Sequence, residues 1–317
     1  MATLRLATRG SPLALRQTEL VAEALREAHP GLDPEVVVVR TRGDRDTTSS
    51  LDRIGGQGVF VGEVEAAVGD GRADVAVHSA KDLPSTMPAH LVLAAVPPRA
   101  DPRDGLVGCT LAGLPPGGLV ATGSARRRAQ LAYLRPDLVF ADVRGNMARR
   151  VAVGEEAGGA AAVVVAVAAM ERLGWRGRLT DVLDPLDVLP QAGQGAIAVQ
   201  CRAEDDATRR LLAAIDDALS HRAVRAERAV LAALGGSCTV PVAAWAEADG
   251  GGGLRVHGLV ASGDGRTLVR MTRSGDEPET VGAVVAQALL VDGGGAAIEG
   301  FGGAAAAAGR EPPRVGP

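Results

Sequence analysis

The chain has 317 residues, 46% hydrophobic and 23% charged, with a formal net charge of −4; the length suits two or three domains, and the charge offers no global field for nucleic acid or an anionic membrane. Aromatics at 2% leave no stacking surface for single-stranded nucleic acid, and no uncharged apolar run approaches the roughly 20 residues of a membrane span. The N-terminus lacks a secretory apolar region and cleavage site, and the three cysteines (Cys109, Cys201, Cys238) form no CxxC pair. A cytoplasmic protein without a disulfide framework or zinc cluster is expected.

In chain order, Leu4 to Ala7 reads as a short strand running into Thr8-Arg9-Gly10-Ser11-Pro12. A helix over Leu13 to Glu27 follows, with Ser11 as N-cap and Pro12 at the first helical position. Glu35 to Arg40 is a β-branched run, hence a second strand. Residues 41–58 read as a long mobile loop, and Val59 to Val68 as a helix. Ala73 to His78 is a buried strand ending in His78-Ser79-Ala80-Lys81-Asp82. After a proline break at Val96-Pro97-Pro98 the alternation resumes. Strands over Leu119 to Ala121, Leu138 to Asp142 and Ala161 to Val167 each lead into a helix, the first two through polar clusters. The most apolar stretch, Ala160 to Met170, reads as a buried strand. Strand and helix alternating in this way predict an α/β fold.

A third region follows a helix near Leu211 to Leu219. It holds a helix over Ala223 to Leu234, the loop Gly235-Gly236-Ser237-Cys238-Thr239-Val240-Pro241, and strands near Val242 to Glu247, Leu254 to Ala261 and Thr267 to Met271. A helix over Val281 to Leu290 completes a small α+β domain with an antiparallel sheet. The Ala/Gly-rich tail beyond Phe301 is expected to be frayed.

Basic and hydroxyl side chains recur near strand ends and helix starts. They are Arg9 and Ser11, Ser79 and Lys81, Ser124 with Arg126 and Arg127, Arg144, Arg149 and Arg150, and Arg172. That edge of an open α/β sheet binds ligands, and helix N-termini there favour anions. Arginine's planar fork fits carboxylate or phosphate two bonds at a time. A polyanionic small ligand between two α/β lobes accounts for the whole set, whereas single members such as Arg149 are better explained as surface charge. Lys81 is the one lysine among 34 basic residues. In isolation Asp82 reads as a capping or salt-bridged carboxylate, and Cys238 as a small apolar residue.

Seven motifs occur in order: Ala7-Thr8-Arg9-Gly10-Ser11-Pro12-Leu13-Ala14, Thr41-Arg42-Gly43-Asp44, Ala76-Val77-His78-Ser79-Ala80-Lys81-Asp82-Leu83-Pro84, Asp101-Pro102-Arg103-Asp104, Arg144-Gly145-Asn146, Gly193-Gln194-Gly195-Ala196 and Gly236-Ser237-Cys238-Thr239-Val240-Pro241. Together they resemble the porphobilinogen deaminase, or hydroxymethylbilane synthase, family over about residues 4 to 270. The resemblance implies two α/β lobes like those of type II periplasmic binding proteins, over 1–97 with 193–214 and over 101–190. A small α+β domain over 218–317 carries the cofactor cysteine.

The resemblance further implies a transferase of tetrapyrrole (porphyrin and heme) biosynthesis. Such an enzyme joins four porphobilinogen units head to tail, releases one ammonia for each, and frees the linear tetrapyrrole with water. Its dipyrromethane cofactor would be attached by a thioether to Cys238, and its catalytic acid matches Asp82. The family's substrate- and cofactor-binding positions match Arg9, Ser11, Ser79, Lys81, Ser124, Arg126, Arg127, Arg144, Arg150 and Arg172, with Arg53, Phe60, Thr122 and Gln194 also assigned to binding. No metal, nucleic acid or membrane partner is implied, and a monomer is expected.

The residues suit that chemistry. Each pyrrole carries an acetate and a propionate, and charge-assisted hydrogen bonds contribute about 1.5–3 kcal/mol each. Loss of ammonia leaves an azafulvenium cation. An ionised Asp82 beneath its ring N–H would stabilise it by about 4 kcal/mol at about 4 Å and an effective dielectric near 20, roughly a thousandfold in rate. Three features depart from the family pattern. Gln57 stands where lysine is often found, the strand around Ala160 to Val164 lacks an acid often found just before it, and the spacing from Arg150 to Arg172 is one residue long, so Arg149 competes with Arg150. The alternatives are a non-catalytic binding module on the same two-lobe fold, or a degenerate paralogue without turnover.

Overall fold

The computed structural model describes residues 2–40, 61–156, 158–235 and 240–301. Strand β1 (Ala2–Arg9) runs into α1 (Pro12–Ala28) through the expected cap: Ser11 is extended and its Oγ accepts the Ala14 N–H at 3.3 Å. One face of α1 buries Val21, Ala22 and Leu25 against Leu4 and Leu6 of β1 and Val75 and Val77 of β3 (Val75–Ser79). Strand β2 (Leu32–Val39) starts before its β-branched run and includes Pro34, which an edge strand tolerates. Helix α2 (Gly62–Gly69) covers the opposite face with Val64, Ala67 and Val68.

Two further strands, β4 (Leu91–Ala95) and β10 (Ile197–Arg202), complete a sheet of order β2-β1-β3-β10-β4. Its first three strands are parallel, and β10 runs antiparallel to both neighbours. The second sheet is built from β5 (Asp104–Gly108), β6 (Leu119–Ala121), β7 (Val139–Ala141), β8 (Ala162–Ala166) and β9 (Asp181–Val182). Its order, β7-β6-β8-β5-β9, repeats the plan: three parallel strands, then an antiparallel one. In each sheet the antiparallel strand begins just after the chain has crossed from the other. The result is two α/β lobes of the type II periplasmic-binding-protein kind, joined by two crossings near residues 96–103 and 183–196. A third sheet, β11 (Val242–Ala248), β12 (Leu254–Ala261) and β13 (Leu268–Gly275), is an antiparallel meander. Helices α7 (Ala218–Ala233) and α8 (Pro278–Leu290) back it. They approach so closely that a Cβ on Gly282 would collide with the Ala226 carbonyl.

Three expectations need correction. The apolar run Ala160 to Met170 is not one strand: β8 ends at Ala166, and α5 (Val167–Arg172) begins at once. Valines 163–165 favour the strand, whereas Ala168-Ala169-Met170-Glu171-Arg172 favours the helix. No single helix spans Leu211 to Leu219: α6 (Asp206–Ala213) stops, and Asp217 caps α7 by accepting the Ser220 N–H at 2.8 Å. Consequently α7 starts at Ala218, not Ala223. Strands β4, β5, β9 and β10 were not foreseen; they are short or alanine- and glycine-containing, and gain their definition from the neighbours they pair with. The expected loop 41–58, the loop cysteine and the tail beyond Phe301 lie outside the described residues. Among the described residues, no helix is long and apolar enough to cross a membrane.

Candidate active site

In the first lobe, Arg9 ends β1 and Ser11 follows it, while Ser79 ends β3 and Lys81 and Asp82 follow on a single 3-10 turn. Arg9, Ser11, Ser79 and Asp82 line one cavity of about 60 Å³ together with Gln17 and His78. Gln17, on α1, donates from Nε2 to Ser79 Oγ at 2.9 Å, which fixes that hydroxyl. Burial pushes His78 down to about 4, helped by neighbouring Arg9, so the ring is neutral at physiological pH.

The second lobe presents α3 (Ala125–Leu134). Ser124 caps it by accepting the Arg127 N–H at 3.4 Å, and Thr122 Oγ1 accepts the Ser124 N–H at 3.2 Å. Arg126 and Arg127, in the first turn, meet the fully buried Asp104 at the start of β5. Arg126 Nη1 donates to Oδ2 at 2.8 Å, and Arg127 Nε and Nη2 donate to Oδ1 at 3.1 and 2.7 Å. Burial alone would raise the Asp104 carboxyl, but the two guanidinium groups hold it well below the usual range. Gln194, on the second crossing, joins the lobes. It donates to Asp104 Oδ1 at 2.8 Å and accepts from Lys81 Nζ at 3.3 Å.

The site crowds cations. Burial and the nearby Arg127 push Lys81 down to about 8, against the opposing pull of Asp82 and Asp104. Burial, then Arg127 and Arg144, lowers Arg150, with Asp82 opposing from the first lobe. Burial takes Arg172 down to about 10, while its Nη2 donates to the Gly195 carbonyl at 2.7 Å. Arg126 Nε is buried without a hydrogen-bond partner. Arg150 is thus in electrostatic contact with the cluster, whereas Arg149 is exposed and folds over Gly145, so that a Cβ there would lie 2.9 Å from Arg149 Cδ. Arg53, Phe60 and Cys238 lie outside the described residues.

Several residues at the site were not singled out from sequence. Asp104 sat inside a quoted motif, yet nothing local marks it as the counter-ion of two arginines. Gln17 and His78 also escaped notice, because a lone helical glutamine and a lone strand histidine carry no signal. Glu227 on α7 is the fourth. Fully buried, it pairs with Arg99 at 2.5 Å and accepts the Gly193 and Ala246 N–H groups at 2.6 and 2.8 Å. This holds α7 and β11, the elements on either side of the Cys238 loop, against the second crossing. Gly193 has φ +74° there, and a Cβ would stand 2.8 Å from the Lys81 nitrogen.

Paired α/β lobes meet at a cation-rich site, and a third domain is tied to the crossing between them. Residues 4–210 match the family model described as porphobilinogen deaminase, dipyromethane cofactor binding domain. Residues 221–291 match the porphobilinogen deaminase C-terminal domain. A relative from Roseiflexus sp. (strain RS-1) is 47% identical over 302 residues, covering 94% of this chain and 99% of its own. One from Stenotrophomonas maltophilia (strain K279a) is 47% identical over 300 residues, covering 93% and 98%. A third, from Syntrophobacter fumaroxidans, is 43% identical over 295 residues, covering 92% and 95%. All three are named porphobilinogen deaminase. The chain belongs to the porphobilinogen deaminase family, a family of transferase enzymes.

The donor set fits the cofactor named in that family model. A dipyrromethane carries several carboxylates, and Lys81, Arg126, Arg127, Arg150 and Arg172 outnumber Asp82, Asp104 and Glu171, the acids that act on them among the described residues. The buried, unpartnered Arg126 Nε adds a donor with no protein acceptor.

Proposed function

We propose that this chain is a hydroxymethylbilane synthase, joining four porphobilinogen molecules head to tail with loss of ammonia and releasing the linear tetrapyrrole with water. The observation that carries the reading is the cluster of Lys81, Arg126, Arg127 and Arg150, with Asp82 acting on Lys81 and Arg150. A lysine driven down to about 8 by burial and a neighbouring arginine regains its charge stability when substrate carboxylates arrive.

In this reading the chain divides into lobes over 1–97 with 193–214 and over 101–190, and a third domain over 218–317. A dipyrromethane, held by the arginines of the second lobe and attached at Cys238, supplies the first pyrrole carbon to which units are added. The other steps belong to the chain's own residues. Lys81, Arg9 and Ser79 fix porphobilinogen by its acetate and propionate. As the aminomethyl C–N bond breaks, its electron pair leaves on the protonated nitrogen as ammonia, and the pyrrole nitrogen becomes cationic. Asp82 accepts the ring N–H and offsets that charge where it develops. The same carboxylate can hold the ring proton released when two units are joined. Asp104 and Gln194 keep Arg126, Arg127 and Lys81 oriented throughout. We further place the enzyme in the cytoplasm as a monomer.

Intact-protein mass tests the reading. Protein from cells that make porphobilinogen should carry an adduct of two pyrrole units, and Cys238→Ser should abolish it. An unmodified mass for the unaltered protein would instead favour a non-catalytic cleft protein. An adduct without porphobilinogen consumption would indicate a paralogue that has lost turnover.

A further inference from the structure

His78 is buried, yet no step above uses it. It lies on β3 between Val77 and Ser79, whose side chains face α1. Strand alternation therefore turns His78 to the α2 face. There it meets Gln200 of β10; the register pairs Ala198 with His78 and Gln200 with Ala76, so the two side chains are same-face neighbours. Gln200 is fully buried and donates from Nε2 to Glu65 Oε1 of α2 at 3.0 Å. That bond fixes the amide's orientation and turns Gln200 Oε1 away from Glu65. Two buried polar atoms are left without a hydrogen-bond partner in this part of the core: Gln200 Oε1 and His78 Nε2. They are complementary only when the imidazole carries its single proton on Nε2.

On the other side lies Arg9. The parallel ladder pairs Ala7 with Ala76, and two residues further along each strand come Arg9 and His78. Both line the cavity that holds Asp82. We propose that His78 is the positioning residue for Arg9: a neutral imidazole beside Gln200, whose amide Glu65 holds, lets the Arg9 guanidinium stay in the cavity to bind a substrate carboxylate. This rests on the function proposed above. Protonation of the ring would set a second cation beside Arg9 and weaken substrate binding without touching the chemical step. Among the described residues, the charged groups facing this cluster are Arg9 from β1, Asp82 from the turn after β3 and Glu65 from α2. His90, just before β4, and Arg228, on α7, act electrostatically on Glu65.

The test exchanges the amide and the carboxyl in one double variant, Glu65→Gln with Gln200→Glu. Volume and the buried hydrogen bond are kept, but the carboxylate now adjoins the imidazole and favours its protonated form. KM for porphobilinogen should rise about tenfold between pH 8 and pH 6, as expected for a ring titrating near the ordinary histidine value of about 6.5 or somewhat above, with kcat unchanged and no such rise in the unaltered enzyme. Adding His78→Gln should remove the pH dependence. A folded double variant with the unaltered enzyme's KM profile would overturn the proposal. If the double variant fails to fold, imidazole NMR of the unaltered protein decides. His78 must stay neutral down to pH 5, and titration near 6.5 would equally overturn the proposal. Porphobilinogen consumption by the unaltered protein reports separately on the function itself, so the two failures are distinguishable.

Discussion

Lys81 and Asp104 belong to different sheets, yet one glutamine connects them: Gln194 accepts from Lys81 Nζ at 3.3 Å and donates to Asp104 Oδ1 at 2.8 Å. Through Asp104 the same chain of contacts reaches Arg126 and Arg127. The first and second lobes therefore share one hydrogen-bonded network, and its charges can be tested one at a time.

Asp104 balances two buried arginines, so Asp104→Asn leaves both without a counter-ion. Breaking a buried pair in this way costs about 3–5 kcal/mol. Thermal unfolding should show a melting temperature lower by about 5–15 °C. An unchanged melting temperature would mean that Arg126 and Arg127 find other acceptors. The sign with pH follows from the direction of the shift. Because the folded carboxyl lies below its unfolded value, its contribution is present at neutral pH and is lost only as acid passes through the depressed folded value.

Asp82→Asn keeps a hydrogen-bond acceptor but removes the charge. Turnover of porphobilinogen should fall roughly a thousandfold, matching about 4 kcal/mol of lost electrostatic stabilisation. The circular dichroism spectrum should not change. A variant that retains a tenth of the activity would remove Asp82 from the chemistry.

Lys81 titrates near pH 8, because burial and Arg127 disfavour its charged form. Substrate carboxylates bind the protonated amine, so kcat/KM should fall as pH rises through about 8. The Lys81→Gln variant should lose that limb. The unliganded protein should behave in the opposite sense. Between about 8 and the ordinary lysine value near 10.4 the unfolded chain binds the extra proton, so this group makes stability rise with pH over that window.

Arg150 and Arg149 are adjacent in sequence but differ in surroundings. Arg150 is drawn towards Asp82 and repelled by Arg127 and Arg144, whereas Arg149 is exposed. Removing one charge-assisted contact of about 1.5–3 kcal/mol should raise KM about 10- to 100-fold for Arg150→Gln. Arg149→Gln should leave KM within about twofold, as expected for a surface charge. Equal effects of the two variants would mean that the helix turns differently when ligand is bound.

Local chemistry made much of the scaffold readable. Ser11 before Pro12, Ser124 before a helix and alternating β-branched runs are short-range signals, and each governs only a few neighbouring backbone groups. Strands β5 and β10 lacked such a signal. They are defined by pairing with strands far away in the chain after it crosses between lobes, which no window of ten residues contains. The run Ala160 to Met170 supported two readings, a strand ending near Val167 before a helix and one continuous strand, because burial on every side removes the periodicity that separates helix from strand.

The sequence by itself determined the α/β alternation, the placing of hydroxyl and basic side chains at strand ends, and the family to which they point. It could not assign those charges to partners. Arg126 and Arg127 read alike as ligand contacts, yet both are bound inward to Asp104 across more than twenty residues of chain. Gln194, Gln17, His78 and Glu227 acquire their roles only from what folding brings beside them. Coulomb energy and desolvation depend on distance and burial in space, and neither is a property of a residue's neighbours along the chain.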